Sequence, residues 1–328
     1  MKLKKGLSIG TGYLSYRFQH LRSGLYCFNY HRVGNRETAP YDPNVFSCDA
    51  ENFERQIKLI QENFEVIGLN DLQNILLDSP RLKKPYAIIT FDDGYLDNYQ
   101  VAYPILQSFG IKAIFFVPIN YISKRLVPWW DEIAWMVKNT SLPIFKVDDD
   151  KKIDLADYDV NENIRKVLLA FKEIDYRSID ASLAYMREAS GCYMQPEEEP
   201  QLFMSWEQVR EMSDNGMDIG SHTFSHRILA HIGDEQHKEI LNSKAYLEDK
   251  LAKPVLAISY PVGTEGTFNA ETIRLTEQGG YAFGFSFIPG VDSAVQENRF
   301  SLSRFAISYN QSNLSIKLMA VHPPKYKQ

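Results

Sequence analysis

The chain has 328 residues, 44% hydrophobic and 24% charged, values near the average of globular domains that exclude a disordered, collagenous or membrane-spanning chain. Its formal charge of −6 is uneven: residues 1–36 hold seven Lys or Arg and no Asp or Glu, leaving 29 basic against 42 acidic residues, or −13, in the rest. That acidic remainder argues against nucleic acid, whose phosphates need a basic groove.

The first segment, residues 1–24, reads as a basic arm. Gly6, Ser8, Gly10, Thr11 and Gly12 interrupt any apolar run, so a cleaved signal peptide is not expected. Its Leu7, Ile9, Tyr13, Leu14, Phe18 and Leu21 fit a first helix packed on the body, the favoured reading, or a face lying on an anionic membrane. Next, LYCFNYH (25–31) is strand-like, residues 35–50 read as loop, and Phe53, Ile57, Ile60 and Phe64 fall at helical spacing behind Asp49 as N-cap. YAIITF (86–91) predicts a buried strand ending at DDG, LDNYQVAYPILQSFG a helix closed by Gly110, and KAIFFV (112–117) a second strand, together a βαβ unit. Residues 121–204 break this rhythm and read as a helical insertion, far longer than an ordinary connection. The rhythm returns with a capping box at Ser205 and Gln208, then strands at MDIG, PVLAIS, YAFGFSF and FSLSRFAIS (300–308). The expected organisation is therefore an arm over 1–24, an α/β barrel over 25–310 carrying the insertion, and a tail over 311–328. Cys27, Cys48 and Cys192 show no C-x-x-C spacing, so a reducing, cytoplasmic compartment is expected.

Three polar clusters follow predicted strands: DDG, SHTFSH and YPVG. In α/β barrels the carboxyl ends of the strands carry the active site, so these clusters are expected to meet. His222 and His226 are four apart; on a helical turn both imidazoles would face one metal ion. Thr223 stands where a zincin requires Glu, which excludes that class. Asp92 and Asp93 repel each other unless a cation or hydrogen bonds hold them, and on an extended segment they would point to opposite sides. The bland alternatives are a pair of surface histidines and an N-cap pair of aspartates. Taken together, one Asp and two His form a three-ligand set for a catalytic divalent metal with a position left for water, and the second Asp completes a hydrolytic constellation.

TFDDG (90–94), SHTFSH (221–226) and YPVG (260–263), in this order, resemble the polysaccharide deacetylase family, also called the NodB-homology or carbohydrate esterase family 4 fold. The likeness covers roughly residues 25–120 and 204–310. It implies a distorted (β/α)7 barrel and a metal-dependent deacetylase, with Asp92 as general base and Asp93, His222 and His226 as ligands of a divalent metal, zinc first, with cobalt, nickel or manganese as substitutes. The loop at Tyr260 and Pro261 would supply a backbone N–H to the oxyanion. FNYHRV (28–33) is similar to the motif of a permuted branch typified by poly-N-acetylglucosamine deacetylases, with Phe28 in place of Leu, and makes His31 the general acid in preference to His322 in LMAVHPPK. Two departures stand out. The family's R-x-P-Y segment is I-S-Y-P here, so its Arg is missing; Arg304 in LSRFAIS resembles the permuted branch's Arg and is either its substitute or, equally, one half of an ordinary surface ion pair. The Asp-Trp motif that supports the acid has Trp130–Asp131 as its counterpart, unless Trp129 and Trp130 are core of the insertion.

The expected function is removal of N-acetyl groups from a polysaccharide or saccharide precursor in surface glycan biosynthesis. The expected partner is an acetylated glycan or a lipid- or nucleotide-linked sugar, with peripheral membrane contact through the arm. The alternatives are a saccharide-binding protein on the same fold without turnover, and a hydrolase of a non-sugar amide.

Overall fold

The structure, a computed structural model, describes residues 14–124, 126–155, 159–173, 179–194, 201–309 and 311–323. Its strands are β1 (Gly24–Tyr30), β2 (Arg32–Val33), β3 (Phe46–Cys48), β4 (Glu65–Val66), β5 (Pro85–Phe91), β6 (Ile114–Val117), β7 (Ile144–Lys146), β8 (Lys152–Asp154), β9 (Asp218–Ser221), β10 (Ala257–Ser259), β11 (Phe283–Phe285) and β12 (Phe305–Ala306). Eight of them make one sheet in the order β11-β10-β9-β6-β5-β1-β12, with β4 beside the start of β5. Every pairing in it is parallel. After β11 the chain returns so that Leu302 bridges Phe285 and Phe305 pairs with Phe28, which joins the two sheet edges into a distorted (β/α)7 barrel.

The near-continuous apolar runs have the composition of strands covered on both faces. Their side chains alternate: Tyr26, Phe28 and Tyr30 pack outward under the helices with Ile89 and Phe91, while Leu25 and Cys27 pack inward with Ile88, Ile114 and Phe116. Continuing the inward parity of β1 and β5 by one step gives Asn29, Thr90 and then Asp92. The barrel interior is thus apolar at its base and polar at the carboxyl end of the strands.

Asp49 caps the helix Ala50–Asn63, accepting the Asn52 N–H at 2.7 Å, and the Ser205–Gln208 capping box opens the helix Trp206–Asp214. The helix expected after DDG spans residues 96–108 and contains a π turn at Asn98–Ala102, a feature the periodicity does not reveal. The insertion is not wholly helical. It holds the helices Trp129–Asn139, Val160–Lys172 and Ile179–Ser190, and between the first two lies the antiparallel hairpin β7–β8, with the polar DDDKK stretch at its turn. Its Trp129, Ile133, Val167 and Phe171 belong to the same buried cluster as Phe91 and Phe115, so insertion and barrel share one core.

Most of the basic arm lies outside the described residues. Residues 14–19 are helical, with Leu14 and Phe18 buried and the Phe18 ring 5.8 Å from Phe64, so these two side chains are spent on the body. The tail forms the helix Asn313–Val321. No helix among the described residues is long and apolar enough to cross a membrane.

Candidate active site

The sheet register brings the polar clusters to one edge. Tyr30 pairs with Phe91, Phe91 with Phe115, Val117 with Ser221, and Ser221 with Ile258. His31, Asp92 and His222 each follow a strand on this line, and the Asp92 N–H donates to the Tyr30 carbonyl at 3.0 Å. They open into a cavity of about 290 Å³ lined by His31, Asp92, Asp93, His222 and His226, with Trp129 and Trp130 from the insertion on one wall.

Asp93 Oδ1 lies 3.4 Å from Nε2 of both His222 and His226, and all three side chains are buried. That separation is long for a charge-assisted hydrogen bond, which runs about 2.7–2.9 Å. It is the spacing a shared cation creates: metal–ligand bonds of about 2.0–2.2 Å in tetrahedral geometry place neighbouring ligand atoms about 3.4 Å apart. His222 Nδ1 is 2.8 Å from the Ser259 carbonyl, a partner that fixes the Nδ1–H tautomer and frees Nε2 as a ligand. His226 Nδ1 is buried and has no hydrogen-bond partner among the described residues, and its ring is positioned by Trp130, 4.6 Å away between centroids. The donor set fits a divalent metal.

The two histidines converge for a reason other than the expected helical turn. Residues 222–226 form a loop, with Thr223 and His226 in the left-handed region at φ 66° and 55°. Glu239 accepts the N–H groups of Phe224 and Ser225 at 2.9 and 2.8 Å, and Thr223 Oγ1 accepts the His226 N–H. The two aspartates likewise diverge through a turn rather than an extended segment: Asp93 has φ 74° and Gly94 φ 71°. A Cβ on Gly94 would lie 3.1 Å from Val117 Cγ1, so both conformation and space select glycine there.

Asp92 is held by Arg304, which is fully buried inside the barrel. Nη1 and Nη2 donate to the two Asp92 oxygens at 2.8 Å each, and further to Asn29 Oδ1 and Ser259 Oγ, while Nε donates to the Ser286 carbonyl. All five guanidinium donors therefore have acceptors. Burial works against the Asp92 charge, but Arg304, then His222, outweigh it and hold the carboxyl below its usual range. Asn29 and Ser259 carry this arrangement yet were not singled out in the sequence. The signal was there: each is a polar residue within a buried strand, which is costly unless hydrogen-bonded.

The other expected residues separate. The His31 N–H donates to Ser47 Oγ and its carbonyl accepts from Asn98, leaving the imidazole edge-on to Phe287 at 5.8 Å in the cavity wall. His322 caps the last helix and is exposed; that helix end borders a cleft beside Arg17, Arg22 and Tyr26, toward the opposite end of β1. Asp131 accepts the Asp42 N–H at 3.1 Å and the Tyr95 hydroxyl at 2.8 Å, with Trp130 Nε1 donating to that same hydroxyl; neither Asp131 oxygen is bonded to His31. Tyr260 and Pro261 do not line the cavity. Tyr260 stacks on Phe268, its hydroxyl donates to the Phe300 carbonyl at 2.7 Å, and its N–H is used on Phe285, since it continues the β10 ladder. Val262 does line it, at φ 62° in a tight turn closed by Gly263 N–H on the Pro261 carbonyl, a rare and strained geometry for a β-branched residue. Its N–H donates no hydrogen bond among the described residues.

The sequence profile of the polysaccharide deacetylase family matches residues 79–142 and 159–284, more than half of the chain. The chain belongs to this family. YxkH of Bacillus subtilis (strain 168), assigned to the polysaccharide deacetylases, is 24% identical over 271 residues, covering 82% of this chain and 68% of its own. Among solved structures, the Streptococcus pyogenes deacetylase PplD in complex with acetate superposes with a TM-score of 0.59 at 19% identity, over 92% of this chain and 99% of its own. IcaB from Ammonifex degensii gives 0.56 at 16% identity over 92% and 98%. These structures share the barrel. Family membership makes the chain a hydrolase that removes acetyl groups from saccharides, and both profile segments flank the part of the insertion that holds the hairpin.

Proposed function

We propose that this deacetylase is a metal-dependent N-deacetylase of a surface-glycan precursor. The observation that carries the reading is the convergence of Asp93, His222 and His226 at cation spacing beside an ionised, Arg-clamped Asp92. A divalent metal held by those three residues would polarise the acetyl carbonyl and lower the pKa of water to about 7. Asp92 accepts the proton of the attacking water, and Arg304 keeps its carboxylate fixed and charged while it does so. The Val262 N–H donates to the oxygen on which negative charge develops. His31, just past the end of the neighbouring strand, protonates the departing nitrogen, and the Trp129–Trp130 wall gives the sugar an apolar face.

The substrate is proposed to be a lipid- or nucleotide-linked acetamido sugar, and the location the cytoplasmic face of the membrane. The three buried, unpaired cysteines favour a reducing compartment. Fractionation tests the location; periplasmic protein contradicts it. Asp92→Asn tests the chemistry. Turnover should fall by about 10²–10⁴-fold while metal and saccharide binding persist, whereas identical behaviour of wild type and variant would favour the binding-protein alternative.

A further inference from the structure

Beyond the metal triad, the active-site cavity continues past His31 into a second one of about 540 Å³ that shares His31, Asp42, Lys172 and Phe287 with it. In a chain whose residues after 36 carry a surplus of acids, this extension is basic. Arg36 and Arg165 line it, and Lys172 stands at the junction. The Arg165 side chain has no hydrogen bond or ion pair among the described residues, while Lys172 is drawn electrostatically to Asp42 and is pushed down by burial. The Arg36 guanidinium is spread over the Tyr309 ring at 4.4 Å and spends only Nε, on exposed Glu37. Among the described lining residues Asp42 is the one acid; it is buried, turned onto the Asn44 N–H and side-chain amide, and offsets part of the Lys172 charge.

We infer that this extension seats the phosphoryl group of a phosphate- or diphosphate-linked acetamido sugar, with the acetamide reaching Asp92 and the metal triad. The inference rests on the deacetylase reading above. Planar guanidinium forks match phosphate oxygens with paired hydrogen bonds; Arg165 has its full capacity left for a ligand, and Arg36 all but its Nε. The two cavities together have the size that encloses a sugar and its phosphate rather than a sugar alone. A nucleotide diphosphate and a lipid diphosphate present the same chemistry.

The test compares wild type with Arg36→Gln/Arg165→Gln for acetate release from UDP-N-acetylglucosamine, from polyprenyl-diphosphate N-acetylglucosamine in detergent, and from an uncharged N-acetylglucosamine oligomer. Wild type should favour a diphosphate substrate over the oligomer by about tenfold or more in kcat/KM, and the double variant should erase that ratio through KM rather than kcat. Whichever diphosphate carries the preference identifies the source. A ratio near one in wild type, or one the variant leaves unchanged, overturns the site while deacetylation stands. If no substrate releases acetate, titration with UDP-glucose, which has no acetyl group, decides. Binding weakened about fivefold or more in the variant keeps the anion site and removes the deacetylase reading, and equal binding removes both.

Discussion

Two buried carboxylates border the site and are driven in opposite directions. Asp92, inside the barrel, meets a guanidinium whose five donors are all taken, and it is held ionised. Asp131, on the first helix of the insertion, meets among the described residues only a backbone N–H and the Tyr95 hydroxyl as hydrogen-bond donors, and burial pushes it up to about 7 against the pull of Arg32 and Tyr95. Depth is the same and the partner differs. A buried acid stays charged when a dedicated cation is built for it, and drifts towards neutrality when its hydrogen-bond partners are neutral and the nearby cation, here Arg32, is paired with another acid, Asp97. The barrel side is therefore suited to chemistry that needs a permanent charge, and the insertion side to holding a wall in place beneath Trp130.

Breaking the cation side should have the largest effect. Arg304→Met leaves Asp92 buried without its partner and should cost roughly 3–5 kcal/mol of stability, measured by chemical denaturation, together with most activity. Arg304→Met combined with Asp92→Leu should recover much of the stability and none of the turnover; a single variant as stable as wild type would remove the contrast.

On the insertion side the signature is pH dependence. With a folded pKa of about 7 against an unfolded value of about 4, Asp131 binds its proton more tightly when folded. Its contribution is present in full below pH about 4 and is lost progressively up to about 7, so stability falls as pH rises through that window. Asp131→Asn should flatten this slope: its Tm relative to wild type should climb between pH 4 and 7 and level off above. Parallel curves would show that Asp131 is ionised throughout.

The smallest effect is expected at Tyr260, which the sequence motif placed in the site and the fold places behind it. Tyr260→Phe should cost about 0.5–1.5 kcal/mol for the lost hydrogen bonds to Phe300 and Thr276 and leave acetate release intact. A marked loss of kcat would return Tyr260 to the active site.

Much of the architecture was legible in the residues, because parallel strands buried on both faces announce themselves as apolar runs and their caps as Asp49, Ser205 and Gln208. The convergence of DDG and SHTFSH followed from their positions after strands. What did not follow was the local geometry. The left-handed turns at Asp93, Thr223, His226 and Val262 carry no sequence signature in non-glycine residues, since surrounding structure imposes them. Arg304 could be nominated only through likeness to a branch of the family, because its partnership with Asp92 spans 212 positions. The hairpin β7–β8 was hidden inside a segment dominated by helical patterns.

The most direct test of the central claim is metal content measured alongside acetate release for wild type and Asp93→Ala, purified identically and assayed with an N-acetylglucosamine oligomer and the diphosphate-linked sugars. The account predicts about one divalent ion per chain with acetate released by wild type, and neither in the variant. Metal-free wild type that still releases acetate, or an Asp93→Ala variant that retains both, would contradict it.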